Sequence, residues 1–269
     1  MNSLREHWKD YLIEGAGLGL FMISAAVFTT AFEYHNSPLY QSIPNPTLRR
    51  GLIGIAMGLT AILIIYSPWG QRSGAHLNPA VTLTYYRLGR IEATDAIGYI
   101  ISQFLGGIAG VYLGVLLLGE AFTGQDVKFA ITAPGWGLSW AFGAEFLVSF
   151  IMMTVILNVS NKKKIAGYTG IIAGILIAIF ITTEAPISGM SMNPARSVAS
   201  AVPAHVFQGW WVYFIAPIFG MLLASEFYIR TVGYDSILCA KLHHGTSQPC
   251  LFKHCKFSEM KGNSNVESL

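Results

Sequence analysis

The triplet Asn-Pro-Ala occurs twice in the chain, at Asn78, Pro79 and Ala80 and again at Asn193, Pro194 and Ala195. Proline is favoured at the first position of a helix, because its fixed φ suits the helix and its missing N–H costs nothing there, and asparagine is a favoured N-cap. Each triplet therefore predicts a helix start. A capping asparagine accepts through its side-chain oxygen, which leaves its NH₂ group to donate elsewhere. We expect Asn78 and Asn193 to be fixed hydrogen-bond donors.

Each triplet opens a short apolar segment, near 78–87 and near 193–202. At about 1.5 Å per residue, such a segment cannot cross about 30 Å of hydrocarbon, so both are predicted to enter the membrane and end inside it. A helix start carries about half a positive charge. Where two starts meet, cations and hydrated protons are repelled, whereas a water or hydroxyl oxygen can accept from both asparagines. The pattern predicts a pore for neutral molecules.

The elements that must position these triplets are longer apolar segments of membrane-spanning length. They lie near 11–31, 49–67, 97–118, 137–159, 166–183 and 209–230. The sequence is 53% hydrophobic and 12% charged, and soluble domains carry about twice that charged fraction. The predicted fold class is an all-α membrane protein with six transmembrane helices and two re-entrant half-helices.

The elements form two matching sets, about 8–118 and 137–232, each with three spans and a short segment after the second span. Glu14 in the first set matches Glu145 in the second. Because each set has an odd number of spans, the two insert with opposite orientation, and inverted repeats place their broken helices face to face near the midplane. We expect residues 1–236 to form one channel domain and residues 237–269 a polar tail with little core of its own.

Charge sets the predicted orientation and narrows the function. Most Lys and Arg residues fall on the side of this layout that holds both termini, which predicts cytoplasmic termini. A scattered net charge of +3 does not suggest a nucleic-acid partner. We find no set of nucleophile, base and orienting group, so no enzyme activity and no required cofactor are expected.

With both triplets, the sequence resembles the aquaporin, or major intrinsic protein, family over about residues 8–232. The segment GYIISQFLGGIAG is similar to the family's third helix and WVYFIAPIFGMLLAS to its sixth. The resemblance implies a homotetramer in the lipid bilayer, with one pore per subunit for water and small neutral solutes. It also implies that Glu14 and Glu145, which need partners if buried, hold the re-entrant loops by accepting backbone N–H groups.

Arg196 is the third residue after Asn193, in the first turn of a helix whose dipole disfavours cations, so packing alone would not favour it there. In the family, this arginine forms an extracellular selectivity filter, and the resemblance places the other three filter positions at Met57, Ile181 and Met190. Strict water channels usually have a phenylalanine and a histidine at the first two of these positions, and glycerol channels usually have an aspartate after the arginine. This chain has neither the histidine nor the aspartate.

An apolar filter offers water few hydrogen bonds and lets a partly apolar solute contact methionine and isoleucine side chains. We therefore expect the pore to admit at least one small neutral solute besides water, with hydrogen peroxide, glycerol and metalloid hydroxides as candidates. His76, two residues before Asn78, is expected at the cytoplasmic mouth of the pore rather than on a metal, because it has no nearby ligand partner.

The tail carries six side chains that could bind zinc or a related metal. They are Cys239, His243, His244, Cys250, His254 and Cys255. Their spacing matches no standard zinc finger, and a disordered tail with reduced cysteines is the other interpretation.

Two other functions remain possible from the sequence. A secondary transporter also uses inverted repeats and broken helices, although no sodium site or proton chain is apparent. A junctional or structural membrane protein with a nearly closed pore is the second alternative.

Overall fold

The computed structural model describes residues 2–244, 250–252 and 255–257. Within these ranges the chain is helical and contains no strand, and six of its helices are long and apolar enough to cross a membrane. Together with the two half-helices, they are α1 (Asn2–Glu33), α2 (Pro46–Tyr66), α3 (Pro79–Arg87), α4 (Ala93–Leu118), α5 (Leu138–Ser160), α6 (Thr169–Ser188), α7 (Pro194–Ala204) and α8 (Val212–Thr231). The predicted fold class is confirmed.

The outer surface of the helix bundle is apolar. Leu63 on α2 and Leu116 on α4 have 72% and 80% of their surface exposed, which would be unfavourable in water but is expected against lipid. The long helices are therefore built to face hydrocarbon.

The helices pair as an inverted repeat. α1 packs along α4, α5 packs along α8 in the equivalent way, and α2 packs on its own counterpart α6. Glycine permits the close approaches: a Cβ at Gly106 would lie 2.0 Å from the carbonyl oxygen of Gly15, and one at Gly58 would lie 2.3 Å from that of Gly174. Small residues at these crossings let the backbones touch, as is common between membrane helices.

The half-helices α3 and α7 begin at the two triplets as predicted, with a proline in the first turn of each. They have nine and eleven residues, too few to span a bilayer. Each packs on a long helix of the other repeat, α3 against α8 and α7 against α4, so the half-helices lock the two repeats together.

α6 extends past the predicted segment 166–183 and includes Glu184 and Pro186. The segment predicted from hydropathy ends before the first charged residue, whereas the helix itself ends where Gly189 adopts a left-handed φ of 84°. The structure thus brings a carboxylate of α6 into the bundle.

The part of the tail that the structure describes packs against the helix bundle. Ile237, Cys239, Ala240, Leu242, Phe252 and Cys255 are all buried and belong to the main core cluster of the membrane domain. The tail is anchored by the N–H of Leu242, which donates to the carbonyl of Gly74 at 3.1 Å, and by that of Leu238, which donates to Asn161 Oδ1 at 2.7 Å. It uses the core of the helix bundle in place of one of its own.

Candidate functional site

A cavity of about 480 Å³ runs through the centre of the bundle. Its walls come from α1, α2, α5, α6 and α8, and both triplet loops reach into it. Glu33 and Arg50 lie at the end remote from the termini, and Leu242 of the tail lies at the other end. The cavity therefore links the two faces of the molecule past the starts of α3 and α7.

The two triplet asparagines cap their helices and also join the two loops. Asn78 Oδ1 accepts from the N–H of Ala80 at 2.8 Å, and Asn193 Oδ1 accepts from the N–H of Ala195 at 3.0 Å. Asn78 Nδ2 donates to the carbonyl of Met192 at 2.7 Å, and Asn193 Nδ2 donates across to the opposite loop at 2.8 Å. Each NH₂ group has two hydrogens, so the cross-link leaves one N–H of each asparagine for the cavity instead of the whole group.

Glu14 is fully buried and accepts hydrogen bonds with both carboxylate oxygens. Oε1 accepts from the hydroxyl of Ser73 at 2.7 Å and from the N–H of His76 at 3.0 Å. Oε2 accepts from the N–H of Leu77 at 2.6 Å and from Gln103 Nε2 at 2.9 Å. The carboxylate thus binds four donors, three of which lie in the loop before Asn78.

Glu145 makes three equivalent contacts in the second repeat. Its Oε1 accepts from the hydroxyl of Ser188 at 2.6 Å and from the N–H of Ser191 at 2.7 Å, while Oε2 accepts from the N–H of Met192 at 2.7 Å. Charge-assisted hydrogen bonds of this kind are among the strongest in proteins. Their recurrence shows that the repeat extends to individual hydrogen bonds.

The loop before each asparagine has an unusual backbone. Ala75 and Leu77 in the first loop, and Met190 and Met192 in the second, have φ values of 55°, 51°, 48° and 55°. Non-glycine residues rarely adopt this left-handed region, and such residues concentrate at functional sites. All four line the cavity, so the repeat places the same strained backbone on both sides of its centre.

The structure brings the four expected filter residues, Met57, Ile181, Met190 and Arg196, to the same cavity. The guanidinium of Arg196 has a buried Nη1 atom without a hydrogen-bond partner in the described part of the chain. A buried, unpaired donor is costly, and a solute oxygen in the cavity could satisfy it. Three apolar side chains and one unpaired cation donor thus line the same cavity.

Glu184 is a buried residue near this stretch that sequence reasoning missed. Its carboxylate interacts electrostatically with Arg196, yet neither of its oxygens has a hydrogen-bond partner among the described residues, because the neighbouring hydroxyl of Ser188 donates to Glu145. A carboxylate directly after an apolar run was the available signal, since intramembrane ionisable residues are rare and functional.

His76 lies at the end of the cavity where the tail packs. Its Nε2 is 2.9 Å from the carbonyl oxygen of Ala240, so this nitrogen carries the proton and donates. Burial lowers the pKa of His76 to about 4, which keeps the ring neutral at physiological pH. The ring of Phe252 stacks on it with centroids 5.9 Å apart, so tail residues contact the side chain that was expected at the cytoplasmic mouth.

Four of the six candidate metal ligands come together, and we call them the tail cluster. The tail cluster consists of Cys239, His244, Cys250 and Cys255, whose ligand atoms all lie within 4.8 Å of one another. His243 lies outside it, with its ring against Tyr66 at 4.4 Å between centroids. His254 lies outside the described residues.

Comparison with known proteins agrees with this geometry. The family model for the major intrinsic protein matches residues 2–228. A probable aquaporin NIP-type from Nicotiana alata is 37% identical over 177 residues, which are 65% of this chain and 64% of that protein. A glycerol uptake facilitator protein-like 6 from Lactiplantibacillus plantarum is 38% identical over 191 residues, which are 68% of this chain and 85% of that protein.

Among solved structures, that of the aquaglyceroporin from Plasmodium falciparum matches with a TM-score of 0.71 at 19% sequence identity. The match covers 85% of this chain and 98% of that one, which supports the fold. The chain spans just under two thirds of the length of the Nicotiana relative, 64%.

Proposed function

Because the chain belongs to the major intrinsic protein family, we propose that it is a passive transmembrane channel for water and small uncharged solutes. The observation that carries the proposal is the cavity that contains both capping asparagines and Arg196. Each of these side chains offers it an N–H that no protein group in the described ranges accepts. The pathway therefore has hydrogen-bond donors where a passing oxygen needs them.

Exclusion of ions and protons follows from the same elements. The positive ends of α3 and α7 meet at the asparagines, and each contributes about half a charge that repels cations. Arg196 adds a full positive charge. A water molecule that accepts from both asparagines has its lone pairs occupied, so a proton cannot pass along an unbroken chain of waters at this point.

A secondary transporter is less well supported. Of the described ionisable residues that line the cavity, Glu33, Arg50 and Asp126 lie toward one end and His76 at the other, and Arg196 is a fixed cation in the first turn of α7. Coupled transport needs an ion site or proton relay beside the solute, and the loops at the centre offer asparagine amides and apolar side chains instead.

The solute class follows from the filter walls. Met57, Ile181 and Met190 give apolar walls to the cavity that Arg196 also lines, which favours solutes that combine a hydroxyl with apolar surface. The channel therefore passes a small neutral solute such as glycerol, hydrogen peroxide or a metalloid hydroxide besides water. We further propose a homotetramer in the bilayer, with both termini in the cytoplasm.

The test is to replace both triplet asparagines with aspartate in proteoliposomes. Aspartate keeps the capping oxygen but loses the donor, and the loss of about 1–1.5 kcal/mol of hydrogen bonding per site should slow solute flux by roughly tenfold or more. Asn45→Asp is the matched control, because Asn45 also caps a helix before a proline but does not line the cavity. Unchanged flux in a correctly assembled double variant would refute the channel assignment.

A further inference from the structure

We propose that the tail cluster is a zinc site that fastens the tail over the mouth of the cavity at the end where the termini lie. Three thiols and one imidazole are a donor set typical of structural zinc sites. The four ligand atoms lie within 4.8 Å of one another, on a part of the chain that the two repeats do not include.

The distances suit a tetrahedral metal. Cys239 Sγ and Cys250 Sγ are 3.5 Å apart, and Cys255 Sγ is 3.9 Å from His244 Nε2. Zinc–sulfur bonds of about 2.3 Å in a tetrahedron place two sulfurs about 3.8 Å apart. A disulfide would need about 2.05 Å between sulfurs and would use only two of the three thiols, so it explains the cluster less completely.

The surroundings support a fixed site. The ring of Phe257 stacks on His244 with centroids 4.3 Å apart, which limits the orientation of the imidazole. The N–H of Lys256 donates to the carbonyl of Leu238 at 2.9 Å, so the segments that carry the first and last cysteines are already joined. On binding, each thiol loses its proton to solvent and the imidazole coordinates as the neutral ring.

Each of the two tail segments that carry the ligands contacts the region of the cavity. Leu242, between Cys239 and His244 in sequence, lines the cavity, and its N–H donates to Gly74. Phe252, between Cys250 and Cys255, stacks on His76. A metal bound by the tail cluster would cross-link the two tail segments that make these contacts, and would hold them in place without a core of their own. The zinc site does not depend on the function proposed above.

The first measurement is the metal content of the full-length protein, purified without chelator and supplied with Zn²⁺. About one zinc ion per chain is expected, as is the visible absorption of tetrahedral thiolate-bound Co²⁺ after exchange. In Cys250→Ser/Cys255→Ser, zinc affinity should fall more than about a hundredfold, because loss of even an outer-shell partner costs 10–100-fold. His243→Asn is the matched control and should keep its zinc. A wild-type protein without zinc, or with a Cys239–Cys250 disulfide, would overturn the site.

The second measurement is hydrogen exchange at the amides of Leu242 and Lys256, both of which donate hydrogen bonds in the structure. Both amides should exchange slowly in the zinc-loaded protein and much faster after chelation or in the double cysteine variant. The body of the protein serves as an internal reference, because helices α1 to α8 should keep their protection. Equal protection of the tail amides with and without zinc would show that the metal does not fasten the tail.

Discussion

At the scale of single residues, Glu145 and Glu184 are both buried, but their surroundings are opposite. Glu145 accepts three hydrogen bonds, one from Ser188 at the end of α6 and two from the loop before Asn193, whereas both oxygens of Glu184 lack a hydrogen-bond partner in the described chain. Removing an acceptor from buried donors costs far more than removing a carboxylate that accepts no hydrogen bond. The two residues therefore form a matched pair for testing what holds the loop.

We predict that Glu145→Gln destabilises the protein by about 2–4 kcal/mol, because its new NH₂ group would face N–H donors. Glu184→Gln should cost less than about 1 kcal/mol or should stabilise the fold, because it removes a poorly solvated charge. Unfolding in detergent by a thermal or chemical ramp measures both. Equal losses in the two variants would show that the hydrogen bonds to Glu145 contribute little.

The filter residues allow a test of the solute. In Met57→Phe/Ile181→His, water flux should hold or rise and flux of glycerol or hydrogen peroxide should fall, since a histidine offers water hydrogen bonds and the larger ring narrows the path. Ile177→His is the control, because it puts the same side chain in the same cavity one turn earlier. Water and solute flux are measured by stopped-flow in proteoliposomes. A wild-type channel that passes water alone would contradict the prediction.

At the scale of elements, the sequence predicts those whose signal is local. Both half-helices begin where an asparagine and a proline define a cap, and the spans follow from apolar length. The predicted end of α6 was wrong. The apolar run ends before the charged residue Glu184, whereas helical backbone hydrogen bonding continues to Gly189. The cross-link from Asn78 to Met192 was not predictable, since it depends on where two loops distant in sequence meet.

The structure of the tail also could not be predicted from local sequence signals. Its polar composition suggests disorder, and nothing local indicates that Leu242 and Phe252 find a surface beside His76. Likewise, spacing alone could not separate His243 from the tail cluster, because two adjacent histidines point to different neighbours, Tyr66 and Phe257. The position of the tail and the membership of the tail cluster both depend on contacts between residues that are distant in sequence.

At the scale of the whole molecule, the two halves of the cavity are nearly equivalent at the centre but differ at the mouths. Glu33 and Arg50 line the cavity at one end, and Leu242 of the tail lines it at the other. If the tail restricts passage, Cys250→Ser/Cys255→Ser should increase solute flux severalfold, as should removal of residues 237–269. His243→Asn should leave flux unchanged. Flux in proteoliposomes at equal protein density measures this, and identical rates in all forms would show that the tail does not limit transport.

The hydrogen-bond donors to Glu14 also affect the order in which the spans enter the membrane during synthesis. Glu14 belongs to the first span, but its donors belong to the loop before α3 and to Gln103 of α4. A lone carboxylate in hydrocarbon is costly, so α1 gains its full stability in lipid only after the third span has left the ribosome. We therefore expect the first three spans to be released into the bilayer as one group. Glu145 should impose a shorter delay in the second repeat, because its donors lie at the end of α6 and in the loop before α7.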